Sequence, residues 1–395
     1  MPTVLNSNFD EKSGTLEVEV TRRVDSTNSQ EFDNELQELV KDKDVKHICF
    51  NLSGTEYVSS ACLRVFLKYA KVYKDSSLIE VNPEVYDVLD MTGFKNFYHV
   101  EKKMKDYSVE GLEVIGKGAT GTVYRVDADT IIKVFNDVFT LDQIKREMDA
   151  SKAAFVSGIA TAIPYEVVKV GNNYGTIYEL IKSKTLSEIL QESGDEFDTI
   201  AKKYAKFMHE MHQIDVSKAG FKNTAESYAQ YKPLIAAKAG PEIVEVYNTL
   251  LDSIPERNTY VHGDFHPKNV MVTGNEFLLI DMGESSHGHP IFDVMALGVL
   301  RLALADLPEK CQMFAGISSE ELVRLWDLFI PAYFDCDDEE KAKHISNVCL
   351  LYSSIRAIVL LGLLPYFTLA EKETILNRIK ELYSDKSNMD LSIFG

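Results

Sequence analysis

The pattern of apolar and polar positions divides the chain into two stretches of different character. Gly14-Thr-Leu-Glu-Val-Glu-Val20 alternates as a half-buried strand does. Glu31–Val40 is amphipathic at helical spacing, with Asp25-Ser26-Thr27 read as its cap. His47–Leu52 reads as a short buried strand, Leu63–Ala70 as a helix, Leu78–Val81 as a strand and Val85–Leu89 as a helix. This order predicts a small α/β layer over residues 1–105. Val100–Tyr107 is polar, without Gly or Pro, and reads as a short linker that need not be flexible. Beyond it, Leu112–Ile115, Thr122–Val126 and Thr130–Phe135 are β-prone runs, followed by a polar helix from Leu141 and a strand at Tyr174–Tyr178. Asn269–Val272 and Glu276–Ile280 flank Thr273-Gly274-Asn275 as a hairpin. Ala357–Phe367 is the longest apolar run. It is too short to cross a bilayer and reads as a buried helix. Lys182–Thr185 and Lys232–Ala239 read as surface loops or a mobile lid.

The hairpin joins two stretches that carry chemistry. In His262-Gly-Asp264-Phe-His266-Pro-Lys-Asn269 an acid precedes an amide by five residues, and Asp281-Met-Gly283 follows the hairpin. Phosphoryl transfer needs an oxygen to orient the attacking hydroxyl, and hard oxygen ligands to hold Mg2+ against nucleotide phosphates. Two strands joined by a tight turn bring Asn269 and Asp281 to one end, as candidate metal ligands. Asp264 is then the candidate catalytic base. A polar turn without chemistry is one alternative. A metal site built from His262, Asp264, His266, His287 and His289 is another, although their spacing lacks a zinc pattern.

Upstream, Gly116-x-Gly118-x-x-Gly121 is a spacing shared by dinucleotide turns and phosphate-covering loops. A dinucleotide turn leads into a helix. Here β-prone runs flank the glycines on both sides, as in loops whose N–H groups cover nucleotide phosphates. Lys133 lies inside an apolar run, where a buried ammonium needs a partner. Nucleotide phosphates supply one and Glu147 another, with Asp142 and Asp149 as rivals to Glu147. The alternative is an edge-strand lysine facing water. Glu179 and Ile181, at and just past the end of Tyr174–Tyr178, stand where kinases have the hinge whose backbone bonds the adenine edge, a likeness that implies this role for them, or they simply end a strand.

These residues together resemble the aminoglycoside phosphotransferase and choline kinase-like branch of the protein-kinase-like fold, over about residues 108–395. The resemblance implies a bilobal domain at 106–395, with an N-lobe at 106–180 and a C-lobe at 181–395. It implies ATP and Mg2+ as cofactors and a small-molecule hydroxyl as acceptor. It makes Asp293, in Pro290-x-x-Asp293, a brace for the catalytic loop, and His262 a structural support beside it. His212 becomes a packing or hydrogen-bonding residue. His266 stands where protein kinases carry lysine, and no long activation segment follows Asp281.

Residues 1–105 are similar to a STAS domain, the anti-sigma-factor-antagonist fold. Arg23-Val-Asp25-Ser26, Asn51-Leu-Ser53, Tyr57–Arg64 and Leu89–Phe94 carry the likeness. The expected fold class is therefore α/β plus α+β, a small STAS layer followed by a bilobal kinase-like domain. In that family a switch serine begins a helix, where phosphoserine meets the helix N-terminus. Ser59-Ser60-Ala61-Cys62-Leu63 departs from that pattern. Ser60 remains the candidate regulatory phosphosite, beside a plain reading as helix cap and docking surface.

The formal charge of −19 lies mostly beyond residue 105. An acidic second domain argues against nucleic acid and suits a cationic acceptor such as an amine or amino sugar. Five scattered cysteines fit a reducing cytoplasm. The first residues hold neither a basic n-region nor an apolar h-region, so no signal peptide and no membrane association are expected. The expected function is an ATP- and Mg2+-dependent phosphotransferase acting on a small-molecule hydroxyl, its STAS domain regulating it or docking a protein partner. A protein-directed kinase acting on a STAS-type serine and a non-catalytic nucleotide sensor are the alternatives.

Overall fold

The computed structural model describes residues 2–118, 120–274 and 276–395. Ala119 of the glycine loop and Asn275 of the hairpin turn lie outside the described residues. The chain separates into two compact units, Met1–Tyr107 and Ser108–Gly395.

In the first unit one sheet runs in the order Val4–Asp10, Thr15–Val20, His47–Asn51, Ser77–Val81, His99–Lys102. The first pair is antiparallel and the others are parallel. Helices Ser29–Val40, Ser60–Ala70 and Pro83–Met91 connect them. The alternation seen in the sequence does the sorting: Leu16, Val18 and Val20 are fully buried. They meet Phe32, Phe50 and Phe66, the last two edge to face at 4.9 Å between ring centres.

Three expectations for this unit fail. Val4–Asp10 is a strand that the pattern did not reveal, because as an edge strand it leaves most side chains exposed. The polar run after Val100 is not a linker throughout, since His99–Lys102 forms the opposite edge of the sheet. The first helix begins at Ser29 behind Asn28, not at Asp25. Asp25 instead closes a turn, accepting from the Thr27 N–H at 2.8 Å and hydroxyl at 2.6 Å. Ser59 caps the next helix through the Ala61 N–H at 3.2 Å, and Ser60 is its exposed first residue.

The second unit opens with a five-stranded antiparallel sheet. Its order is Pro164–Val170, Asn173–Glu179, Thr130–Phe135, Gly121–Arg125, Glu113–Lys117. Thr130–Phe135 is central, which places Lys133 at mid-strand and not at an edge. Gly121 packs so closely that a Cβ there would stand 2.1 Å from the Val134 carbonyl oxygen. Helix Leu141–Val156 follows, started by a capping box between Thr140 and Gln143.

The rest is mostly helical. Lys184–Thr185 is a short strand pairing with Met271–Val272, and Lys232–Lys238 is a helix, so neither is the loop expected. The apolar run at Ala357 is the end of a longer helix, Glu339–Leu363. That helix could cross a membrane by length and composition, but 67% of its apolar window is buried inside the unit.

Helix Glu339–Leu363 packs against Ile291–Leu304, which is buried on nearly every side. They pack tightly at Gly298, where a Cβ would stand 2.1 Å from Ser353 Oγ and 3.2 Å from the Trp326 ring. Gly298→Ala should therefore destabilise the unit by about 1–3 kcal/mol through overpacking. An unobstructed helical glycine would instead gain up to about 1 kcal/mol from that change. Thermal melting decides between them, and Gly298→Ala with Ser353→Ala should recover part of the loss.

Candidate active site

Lys133 projects from the central strand and meets two carboxylates. Its Nζ lies 2.8 Å from Glu147 Oε1 on the following helix and 2.9 Å from Asp281 Oδ1. Asp142 and Asp149 are not the partner. The register of the sheet fixes the lysine, since Lys133 pairs with Val123 on one side and Thr176 on the other. Burial opposes its charge, but Asp281 and Glu147 outweigh burial and hold the ammonium above its ordinary pKa. Burial likewise pushes the Glu147 carboxyl up.

Asp281 sits in left-handed backbone, with φ 63°. Aspartate tolerates that region, at a cost of about 1 kcal/mol or more. The hairpin ahead of it forms as read, Val270–Thr273 against Glu276–Leu279. The Ile280 N–H donates to the Asn269 carbonyl at 3.0 Å, which brings Asn269 and Asp281 to the same end of the hairpin.

Asp264 is held from several directions. Asn269 Nδ2 donates to Asp264 Oδ2 at 2.9 Å and to the Asp264 carbonyl at 3.0 Å. The Lys268 N–H donates to His266 Nδ1, so the His266 hydrogen is on Nε2, 3.3 Å from Asp264 Oδ2. His262 pins the loop to the hairpin. Its Nε2 donates to the Ile280 carbonyl at 3.1 Å and its Nδ1 accepts the Asp264 N–H at 3.3 Å.

Asp293 is fully buried below the loop. Its Oδ1 accepts the Gly263 N–H at 2.7 Å, and its Oδ2 accepts the His262 N–H at 2.8 Å and His212 Nε2 at 3.1 Å. The other His212 nitrogen accepts from the Tyr333 hydroxyl at 2.6 Å. Gly263 has φ +83°, and a Cβ there would meet the Glu284 carbonyl oxygen at 2.7 Å.

One residue at this site escapes the sequence reading. Arg356, on helix Glu339–Leu363, donates one nitrogen to the Gly263 carbonyl and another to Asp264 Oδ1. It sits inside an apolar helical run, with no motif around it. Its only visible oddity is a single charge among Ser353-Ser-Ile-Arg-Ala-Ile-Val. Burial alone would push the Asp264 carboxyl up, but Arg356 and then His266 outweigh it and hold the group well below the usual carboxylate range.

The glycine loop fits a phosphate cradle. Gly118 donates its N–H to the Gly121 carbonyl at 2.9 Å, and among the described residues, chain neighbours aside, no heavy atom lies within 4 Å of where a Gly118 Cβ would stand. Gly116 has only the Val123 side chain nearby, at 3.7 Å. Past the sheet, the Glu179 N–H is engaged by the Ile163 carbonyl at 2.9 Å, so its backbone can offer only its carbonyl. The Ile181 carbonyl accepts the Ser183 N–H at 2.9 Å, which leaves its N–H as the group to offer. The five-residue His/Asp metal alternative does not form. Among the described residues no three His, Cys, Asp or Glu side chains are placed to hold a metal together.

Residues 111–309 match the family model of the phosphotransferase enzyme family, APH. The chain belongs to that family. Residues 6–107 match the STAS domain, so this phosphotransferase carries a STAS domain ahead of its kinase-like fold. Over 81 residues the chain is 35% identical to a candidate anti-sigma factor antagonist, BtrV, of Bordetella bronchiseptica, covering 20% of this chain and 69% of that protein. Among solved structures, a thermostable mutant of aminoglycoside phosphotransferase APH(4)-Ia with ADP and hygromycin B aligns at TM-score 0.50 and 11% identity, covering 70% of this chain and 94% of that one. A choline/ethanolamine kinase family protein from Mesorhizobium loti aligns at TM-score 0.46 and 15% identity, covering 70% and 90%. At such identity the APH(4)-Ia alignment speaks to the fold. The phosphotransferase match ends at residue 309, so Tyr333 and Arg356 lie beyond it.

Proposed function

We propose that this phosphotransferase moves the γ-phosphoryl group of ATP to a hydroxyl of a small molecule, with Asp264 orienting that hydroxyl. One observation carries the reading: a single fold brings the Lys133–Glu147–Asp281 ion cluster and the clamped Asp264–Asn269 pair to the same end of one short hairpin.

The assigned roles follow from the donors and acceptors each group has left. Lys133 holds nucleotide phosphates, and Glu147 keeps its ammonium aimed there. Gly116, Gly118 and Gly121 let the backbone of the loop come close over the phosphates, with the Gly118 N–H closing the loop on the Gly121 carbonyl. Glu179 and Ile181 supply a carbonyl and an N–H to the base. The donor set also fits Mg2+. The Asn269 amide nitrogen is engaged by Asp264, which leaves its oxygen free to ligate, and Asp281 Oδ1 is on Lys133, which leaves Oδ2. Bound there, Mg2+ would neutralise charge on the phosphate oxygens. Asp264 stays ionised beside Arg356, so it acts chiefly by fixing the direction of the incoming O–H. A strongly depressed carboxyl accepts a proton only late in the reaction.

The STAS unit is assigned to docking or regulation. Its likeness to an antagonist of anti-sigma factors favours a second reading, in which the hydroxyl acceptor is a serine of the Ser60 type on a protein. Ser60 is exposed at the start of its helix, as such a site requires.

Full-length protein with γ-labelled ATP and Mg2+ tests both readings against a panel of aminoglycosides, choline, amino sugars and homoserine-like alcohols. Label transferred to one of these acceptors establishes the metabolite kinase and its substrate class. Label on the protein, lost in Ser60→Ala, establishes the second reading instead. ATP bound with no transfer to any acceptor, to protein or to water would overturn both.

A further inference from the structure

Gly263 is held at its N–H by one helix and at its carbonyl by another, and the two helices are packed against each other. Asp293, on Ile291–Leu304, takes the N–H of Gly263. Arg356, on Glu339–Leu363, takes the carbonyl of the same glycine and the carboxylate of the next residue. The two helices are in tight contact where Gly298 meets Ser353, about one turn before Arg356. The guanidinium is itself anchored. Burial disfavours its charge, but Tyr228 and Asp264 more than compensate, with a hydrogen bond from the guanidinium to the Tyr228 side chain and help from Glu284. Its side chain is only 18% exposed.

We propose that Arg356 is the positioning residue of this phosphotransferase, fixing the Asp264 carboxylate so that one lone-pair direction of Oδ1 is left for the acceptor hydroxyl. The proposal rests on Asp264 orienting the acceptor. A carboxylate offers about four lone-pair directions. Asn269 and His266 approach Oδ2, and Arg356 occupies one direction of Oδ1. The remaining direction on Oδ1 is where an O–H can be held. Rotation of the carboxylate would break contacts on both oxygens together.

The choice of arginine is chemical. Two nitrogens of a rigid planar fork reach two acceptors on successive residues, the Gly263 carbonyl and the Asp264 carboxylate. A lysine is a point charge on a flexible stem and cannot hold both directions at once. Among the described residues Arg356 bonds Gly263 and Asp264 and not Lys133, Glu147 or Asp281, so its effect should reach the reaction through Asp264.

The test uses full-length wild type, Arg356→Gln, Arg356→Lys, Asp264→Asn and the double variant R356Q/D264N. The readouts are kcat and KM for MgATP in transfer to water, with ADP affinity and thermal melting beside them. Arg356→Gln should lower kcat about 100-fold, the size of effect that misplacing a catalytic group produces. KM for MgATP and ADP affinity should stay as in wild type. Arg356→Lys should recover only part of kcat. The double variant should be no slower than Asp264→Asn alone, because residues acting as one unit are not additive.

Wild-type kcat in Arg356→Gln, while Asp264→Asn is inactive, overturns the proposal. So does a double variant slower than Asp264→Asn by the full factor of the arginine change. If Arg356→Gln no longer binds ADP, Arg356→Lys decides: wild-type kcat there overturns the fork argument. Wild-type turnover in Asp264→Asn would instead remove the reading of Asp264 itself, and the proposal with it.

Discussion

Asp264→Asn is expected to lower phosphoryl transfer by about 10²–10⁴-fold, the range associated with a positioned acid–base group. Nucleotide affinity should hold, because Asp264 makes no contact with Lys133, Glu147 or the glycine loop among the described bonds. The substitution is not sterically silent, however. Oδ1 receives Arg356, and Oδ2 receives Asn269 and His266, so both oxygens face donors. An amide placed either way sets its NH2 against one of them. The uncompensated contact should cost about 1–3 kcal/mol of stability on top of the catalytic loss. Asp264→Ala removes that conflict but leaves the buried Arg356 guanidinium without its carboxylate, so it should also melt below wild type, and be equally inactive. Measuring kcat, ADP affinity and melting for both variants separates the two effects. Transfer within about tenfold of wild type in Asp264→Ala would leave no acid–base role for this residue.

The sequence carried the candidate site residues because short-range spacing carries them. Asp264 and Asn269 share one loop, and Asp281 is one hairpin away, so local turn chemistry fixes their mutual placement. Lys133 was legible for a related reason. A charge within an apolar strand has to be satisfied, and the helix after it supplied Glu147. Edge strands were less legible. Val4–Asp10 and His99–Lys102 each have one neighbour in their sheet and expose much of their length, so the apolar alternation that marks Thr15–Val20 is missing. Arg356 was the least legible of all. It follows Asp264 by 92 residues, and only the crossing of two buried helices brings it home. No local period encodes a crossing. The only trace is one arginine on a helix that otherwise buries almost every residue around it.

That dependence on helix crossing gives Asp293 its weight and sets the second expectation. Asp293→Ala should destabilise the second unit by about 3–5 kcal/mol, the usual consequence of removing one partner from a buried charged network. Three donors lose their acceptor at once: the N–H groups of His262 and Gly263, and His212. The two histidines cannot turn to water, because His262, His212 and Asp293 are each at most 3% exposed. For a unit of this size each kcal/mol lowers Tm by roughly 2–4 °C, so a fall of about 6–20 °C is expected. Transfer should fall as well, at a temperature where the variant is still folded. Gly263 would then be held only at its carbonyl, by Arg356, and the Asp264 carboxylate would lose its fixed direction. Asp293→Asn should restore little, since an amide keeps one acceptor but turns an NH2 toward a second donor. Asp252→Ala is the contrasting control. Its ion pair with Lys232 is exposed, and losing it should change stability by less than about 1 kcal/mol. If Asp293→Ala melts with wild type while keeping full activity, the loop is held by something other than the bracket of Asp293 and Arg356. If it melts early yet transfers at the wild-type rate while folded, Asp293 holds the unit together without aiming the catalytic loop.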